Sequence, residues 1–128
     1  MRLLLDTHVL IWMFSDDSRL TADARELLLD ANNILYCSAV SVWEVALKHG
    51  VRPEENIGPA RFMEYCDASF VKRLDLKCEH MVPLEDMLAI HNDPFDRLLI
   101  AQASIERMTL VTHDAFIRRY PYENIRGI

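Results

Sequence analysis

Short apolar runs alternating with helix-patterned segments constrain this chain more than any other feature. Leu3-Leu4-Leu5, Ile34-Leu35-Tyr36, Phe70 to Leu74 and Thr109 to Thr112 each read as a buried strand bounded by turn or cap residues. Between them lie helical patterns at Val9 to Phe14, Thr21 to about Asn32, Ser38 to Lys48, and Gly58-Pro59 to about Ala68. Thr21 and Ser38 are natural N-caps, and Gly50 is the residue type that ends a helix in left-handed backbone. Lys77 to Asp86 reads as a helix bent or ended by Pro83. Asp93-Pro94 is a cap followed by a first-turn proline, opening a helix to about Arg107. Inside that helix Leu98-Leu99-Ile100-Ala101 is apolar all round and belongs deep in the core. A short helix near Phe116 and a last strand at Asn124 to Gly127 complete the pattern. Such alternation builds an α/β domain on a mostly parallel sheet, where ligands collect beyond the carboxyl ends of the strands.

Composition removes several alternatives. A length of 128 residues fits one domain, 1–128, and 51% hydrophobic residues supply a core. The apolar run Val9 to Phe14 is far short of the ~20 residues that cross a bilayer. Asp6 interrupts the opening leucines, so neither a secretory leader nor a membrane partner is expected, and the expected compartment is the cytoplasm. Cys37, Cys66 and Cys78 are widely spaced and form no CxxC pair, which leaves packing as their reading. The three glycines are scattered, so no phosphate-cradling glycine loop exists.

Four acids stand where a parallel sheet would gather chemistry. Asp6 follows the first strand, and Asp114 follows the fourth after one residue. Asp96 lies in the first turn of the buried helix, and Glu44 sits among apolar neighbours in Val42 to Leu47. Each has a structural alternative. Asp6 and Asp114 suit helix capping, and Asp93 with Asp96 suits a capping-box-like pair. Glu44 is the hardest to explain so, because an ionised carboxylate among apolar groups needs a partner, a proton or a metal. Several carboxylates together repel one another, and oxygen-only ligation suits Mg²⁺ or Mn²⁺. A metal so held activates water and stabilises charge on a phosphodiester, which points to metal-dependent phosphoryl-transfer hydrolysis. The five histidines show no HExxH spacing, and there is no GxSxG elbow; Ser38 and Ser41 read as helix caps.

At these residues a resemblance enters. Leu3 to Trp12 resembles the start of PIN-domain nucleases, particularly the VapC-like toxins of type II toxin–antitoxin pairs. Ser41-Val42-Trp43-Glu44 is similar to that family's second acidic motif. His91-Asn92-Asp93-Pro94-Phe95-Asp96-Arg97 through Ala103 resembles the third, and Thr112 to Phe116 the fourth. The resemblance implies a three-layer α/β/α domain that binds Mg²⁺ or Mn²⁺ and cleaves RNA by activated water. It makes Asp6, Glu44, Asp96 and Asp114 the catalytic and metal-holding acids. Thr112, Arg97 and Thr7 become substrate-binding or supporting residues. It also implies a cognate antitoxin and a toxin homodimer.

The net charge of −6 is unlike the basic footprint of most nucleic-acid binders. Committing four of the 20 acids to a metal would leave 16 facing 14 bases, so local basic surface remains possible, with Arg97, Arg118 and Arg119 as candidates. Two other classes stay open. One is a non-catalytic PIN-like module that binds RNA or a protein. The other is a phospho-receiver domain, disfavoured because Ile34 to Ser38 and Phe70 to Leu74 offer no phospho-acceptor Asp.

Overall fold

The computed structural model describes residues 1–128. Strands β1 (Arg2–Leu5), β2 (Ile34–Ser38), β3 (Lys72–Leu74), β4 (Thr109–Thr112) and β5 (Ile125–Gly127) form one sheet in the order β3-β2-β1-β4-β5. Every pairing is parallel, with Leu3 opposite both Leu35 and Thr109. The helices are α1 (Thr7–Ser15), α2 (Ala22–Leu29), α3 (Ala39–Val51), α4 (Pro59–Ala68) and α5 (Pro94–Glu106). Two 3-10 segments, Cys78–Glu85 and Ile117–Arg119, join them.

Strand alternation divides the interior into two cores. Leu3 and Leu5 of β1 face one way, toward residues of α1, α2, α3 and α4 such as Leu10, Leu28, Val45 and Phe62. Leu4 faces the other way, with Leu98, Leu99, Ile100 and Ala103 of α5. The sheet is thus the middle of three layers, as expected. Leu98 to Ala101 are all buried, because their helix lies against the sheet under the 3-10 segment. No helix is long and apolar enough to cross a membrane.

The cap assignments at Thr21, Ser38 and Asp93 hold, each side chain accepting a first-turn N–H. Other expectations need correction. Helix α2 ends at Leu29 because Asp30 turns extended and its carboxylate takes the Asn32 N–H at 2.9 Å. Gly50 does not end α3; the helix runs through it to Val51, and the Arg52 N–H closes on the Lys48 carbonyl. Strand β3 is shorter than Phe70 to Leu74, since Phe70 adopts left-handed backbone (φ 58°) to leave α4. Lys77 to Asp86 yields a 3-10 segment containing Pro83, which has no N–H to give an α-helical bond. Ser41 is inside α3 rather than at its cap, and Cys78 is exposed while Cys37 and Cys66 are packed.

A buried polar chain locks α3 to α5. Ser38 Oγ accepts the Val40 N–H (3.0 Å) and donates to Gln102 Oε1. Gln102 Nε2 faces His80 Nδ1 (3.3 Å), which also takes the Lys77 N–H at 2.9 Å. Ser38, Gln102 and His80 have no exposed surface, so their polar atoms are met by one another and by Val40, Lys77, Asp75 and Glu106 rather than by solvent. Gln102→Leu removes the acceptor of the buried Ser38 hydroxyl and the amide that faces His80. It should lower unfolding stability by about 2–3 kcal/mol in urea melts, and a loss below about 1 kcal/mol would contradict the network's importance.

Candidate active site

The site lies where the chain order reverses, between the carboxyl ends of β1 and β4. Asp6 leaves β1, and its backbone N–H extends the ladder to the Val111 carbonyl (3.1 Å). Its Oδ1 accepts the Val9 N–H at 2.9 Å and caps α1, while Oδ2 accepts the Thr112 hydroxyl. Capping and membership of an acid cluster are therefore compatible in one side chain. Burial pushes the Asp6 carboxyl above its ordinary range, against the pull of the Thr112 and Val9 hydrogen bonds; the charge of Asp114 adds to the rise.

Asp114 sits two residues beyond β4. Its Oδ1 accepts the Phe116 and Ile117 N–H groups (2.8 and 2.9 Å), which turns the chain into the Ile117–Arg119 segment. Thr112 serves both acids, since its Oγ1 also accepts the Asp114 N–H at 3.0 Å.

Asp93 caps α5 through the N–H groups of Phe95 (2.9 Å) and Asp96 (3.1 Å). The reciprocal half of a capping box is missing, because Asp96 turns its Oδ2 onto His91 Nε2 at 2.7 Å. Burial, together with the charges of Asp93, Asp114 and Asp6, pushes Asp96 up to about 7, against the His91 contact. Three carboxylates from three parts of the chain thus feel one another.

Glu44 approaches from α3. It stands one turn beyond Ser41, whose Oγ accepts the hydroxyl of Thr7 (2.9 Å), and Thr7 adjoins Asp6. Only 6% of Glu44 is exposed. Its Oε2 meets Lys48 Nζ at 3.1 Å, and its Oε1 is buried with no hydrogen-bond partner.

The supporting residues are placed differently from one another. Thr7 is buried in its bond to Ser41. Arg97 spends a guanidinium nitrogen on the carbonyls of Leu88 (3.1 Å) and His91 (3.3 Å) and on the Tyr120 hydroxyl (3.3 Å). That fixes the segment leading into α5. Arg118 lies across Gly127, where a Cβ would come 2.5 Å from its Nε. His91, whose role the sequence leaves open, bridges the acids: Nε2 is also 3.8 Å from Asp114 Oδ1, and its N–H donates to Tyr120 (3.1 Å). Its ring stacks on Phe116, with centroids 5.1 Å apart and planes at 12°. No sequence pattern announces these contacts, because they depend on how a loop folds back onto Tyr120.

The donor set fits a divalent cation. Asp96 Oδ1, Asp114 Oδ2 and Glu44 Oε1 carry no protein hydrogen bond, and the orphaned Glu44 oxygen is costly without a positive partner. His91, Asp93 and Asp96 are the one group that places three ligand atoms within 4.8 Å of one another, and Asp6, Glu44 and Asp114 stand outside it. Hard carboxylate oxygens favour Mg²⁺ or Mn²⁺ over thiophilic metals.

The chain belongs to the PIN domain family, whose sequence profile matches residues 3–121. Its fold is similar to a chain of VapBC2 from Rickettsia felis bound to a DNA fragment from their promoter (TM-score 0.67, 16% identity, covering 99% of this chain and 98% of that one). A toxin–antitoxin complex from Klebsiella pneumoniae contains a similar chain (0.62, 19%, covering 97% and 95%). So does VapBC-1 from nontypeable Haemophilus influenzae (0.63, 16%, covering 93% and 91%). Identities this low speak for fold alone. Comparison with curated protein sequences finds no match.

The raised Asp96 carboxyl has a measurable consequence. Its folded value near 7 exceeds the unfolded 3.8, so the folded state binds the extra proton between those values and stability falls as pH rises. Metal-free protein should melt at a higher temperature at pH 5 than at pH 8, by on the order of 5 °C. Asp96→Asn should flatten that difference, and a variant with the wild-type pH slope would remove Asp96 as its source.

Proposed function

We propose that this PIN domain is a VapC-like, metal-dependent endoribonuclease, the toxin of a toxin–antitoxin pair, with residues 1–128 acting as one domain in the cytoplasm. The observation that carries the reading is that Asp6, Asp96 and Asp114 come close enough for their charges to act on one another, with His91 between two of them; Glu44 adds a buried oxygen that no hydrogen bond meets. Asp6, Glu44, Asp96 and Asp114 are the residues we assign to hold Mg²⁺ or Mn²⁺. Such an ion supplies a polarised phosphate and an activated water for hydrolysis.

The chain's own residues supply the order. Thr112 and the Val9 N–H hold the two oxygens of Asp6 in fixed directions, leaving lone pairs on both. The Phe116 and Ile117 N–H groups pin Asp114 by one oxygen and leave the other free. His91 orients Asp96, and Arg97 with Tyr120 holds His91. Thr7 supports the site indirectly, by tying α1 to the α3 segment that bears Glu44.

Partners follow from the same reading. The similar folds come from toxin–antitoxin complexes, which supports a cognate antitoxin. An apolar groove lined by Ile11, Phe14, Val45, Ile57 and Tyr65 suits an apolar segment of that partner. Trp43, Leu47 and Val51 form an exposed stripe at i, i+4 and i+8 on α3, the face we assign to a homodimer.

Asp6→Asn tests the central claim, because Asn caps a helix about as well as Asp but carries no charge. Cleavage of labelled single-stranded RNA should require Mg²⁺ or Mn²⁺, stop in EDTA, and fall by at least about 100-fold in the variant, beyond the usual cost of losing a supporting contact. Metal-free melting temperature should hold or rise, while the stabilisation by Mn²⁺ shrinks. Wild-type cleavage in excess EDTA would sink the metal mechanism. RNA bound with metal present but never cut would mark a binding module instead.

A further inference from the structure

We infer that the phenyl ring of Phe116, backed by the His91 imidazole, is a stacking platform for an unpaired base of the RNA, positioning the nucleotide beside the acid cluster. The inference rests on the ribonuclease reading above and names what that site would grip. Phe116 is 49% exposed although apolar, and its backbone N–H is fixed by Asp114 Oδ1 (2.8 Å). Its ring lies nearly parallel to His91 at 5.1 Å, and His91 Nε2 is 2.7 Å from Asp96 and 3.8 Å from Asp114. The platform is therefore rigid on one face and tied to two of the acids.

Charge at the site favours stacking as the means of grip. Arg97 is used on loop carbonyls, Arg118 lies across Gly127, and Lys48 is paired to Glu44. Arg119 is the exposed cation at this ring, its guanidinium carbon 5.9 Å from the Phe116 centre, at the outer limit of a cation–π contact. Aromatic stacking of this kind tolerates any base but requires an unpaired one, so the platform would take a nucleotide of a single-stranded stretch whatever its base.

The test uses the full chain carrying Asp6→Asn, so that RNA survives, with Mn²⁺ and a fluorescein-labelled random-sequence 16-nucleotide RNA read by anisotropy. Phe116→Ala should weaken binding about tenfold, within the range for losing one base–aromatic stack. Phe116→Tyr and Phe116→Trp should retain it, whereas Phe116→Leu, which restores apolar bulk without a π-face, should not. The loss should be the same at 50 and 200 mM salt, because no phosphate contact is removed. Phe70→Ala, 91% exposed in the wild type and preceding β3 at the opposite sheet edge, should bind like its parent. In the otherwise wild-type enzyme Phe116→Ala should raise KM more than it lowers kcat. Full rescue by Phe116→Leu, or equal binding by Phe116→Ala, overturns the platform while leaving the ribonuclease reading intact. A wild-type chain that cleaves no RNA with metal present, together with an Asp6→Asn parent that binds none, overturns both.

Discussion

The structure depends on holding mutually repelling carboxylates at one edge of a parallel sheet without losing the fold. Backbone N–H groups at chain turns meet this demand. Asp6 is anchored by Val9, Asp93 by Phe95 and Asp96, and Asp114 by Phe116 and Ile117. Each anchor satisfies a donor that the start of a helix or turn would otherwise leave unpaired, and places the acid near the positive end of a helix where one follows. The same bonds that begin α1 and α5 therefore aim the acids, and the fold and the site are not separable at these positions.

Sheet order completes the arrangement. Because β1 lies between β2 and β4, Asp6 and Thr112 leave adjacent strands and meet through a single hydrogen bond. An antiparallel partner would send one of them to the far edge. The Ser38–Gln102–His80 chain acts at longer range, tying the start of α3 to α5, so that helices on opposite faces of the sheet keep a fixed relation.

Much of this was legible in the sequence because it rests on local chemistry. The strands Leu3 to Leu5 and Thr109 to Thr112, the caps at Thr21, Ser38 and Asp93, and the buried stretch Leu98 to Ala101 follow from side-chain type and spacing alone. The errors fell where tertiary context decides. Gly50 could have ended α3, but the helix continues through it and closes at Arg52 instead. Ser41 has a cap's chemistry and a different use, because Thr7 arrives from another helix. The acids were visible as a set, yet the stack of His91 on Phe116 was not. It joins residues 25 positions apart, through a loop whose course Arg97 and Tyr120 impose.

Net charge is a poor guide to what this surface can bind. Arg19, Arg25, Arg52 and Arg73 are already paired with Asp17, Asp16, Glu55 and Asp67 on the surface. Exposed pairs of this kind add little stability, but they cancel charge where it would otherwise repel or attract a polyanion. Acids without an ion-pair partner, such as Asp23, Glu64 and Glu85, are spread over the chain, and at the carboxylate cluster a bound cation would convert a barrier into an attraction for phosphate. Affinity at such a site then depends on metal occupancy and on contacts indifferent to salt. On the proposed reading, an acidic chain would need no basic face to engage RNA, because the cation and the stacked base would supply the grip.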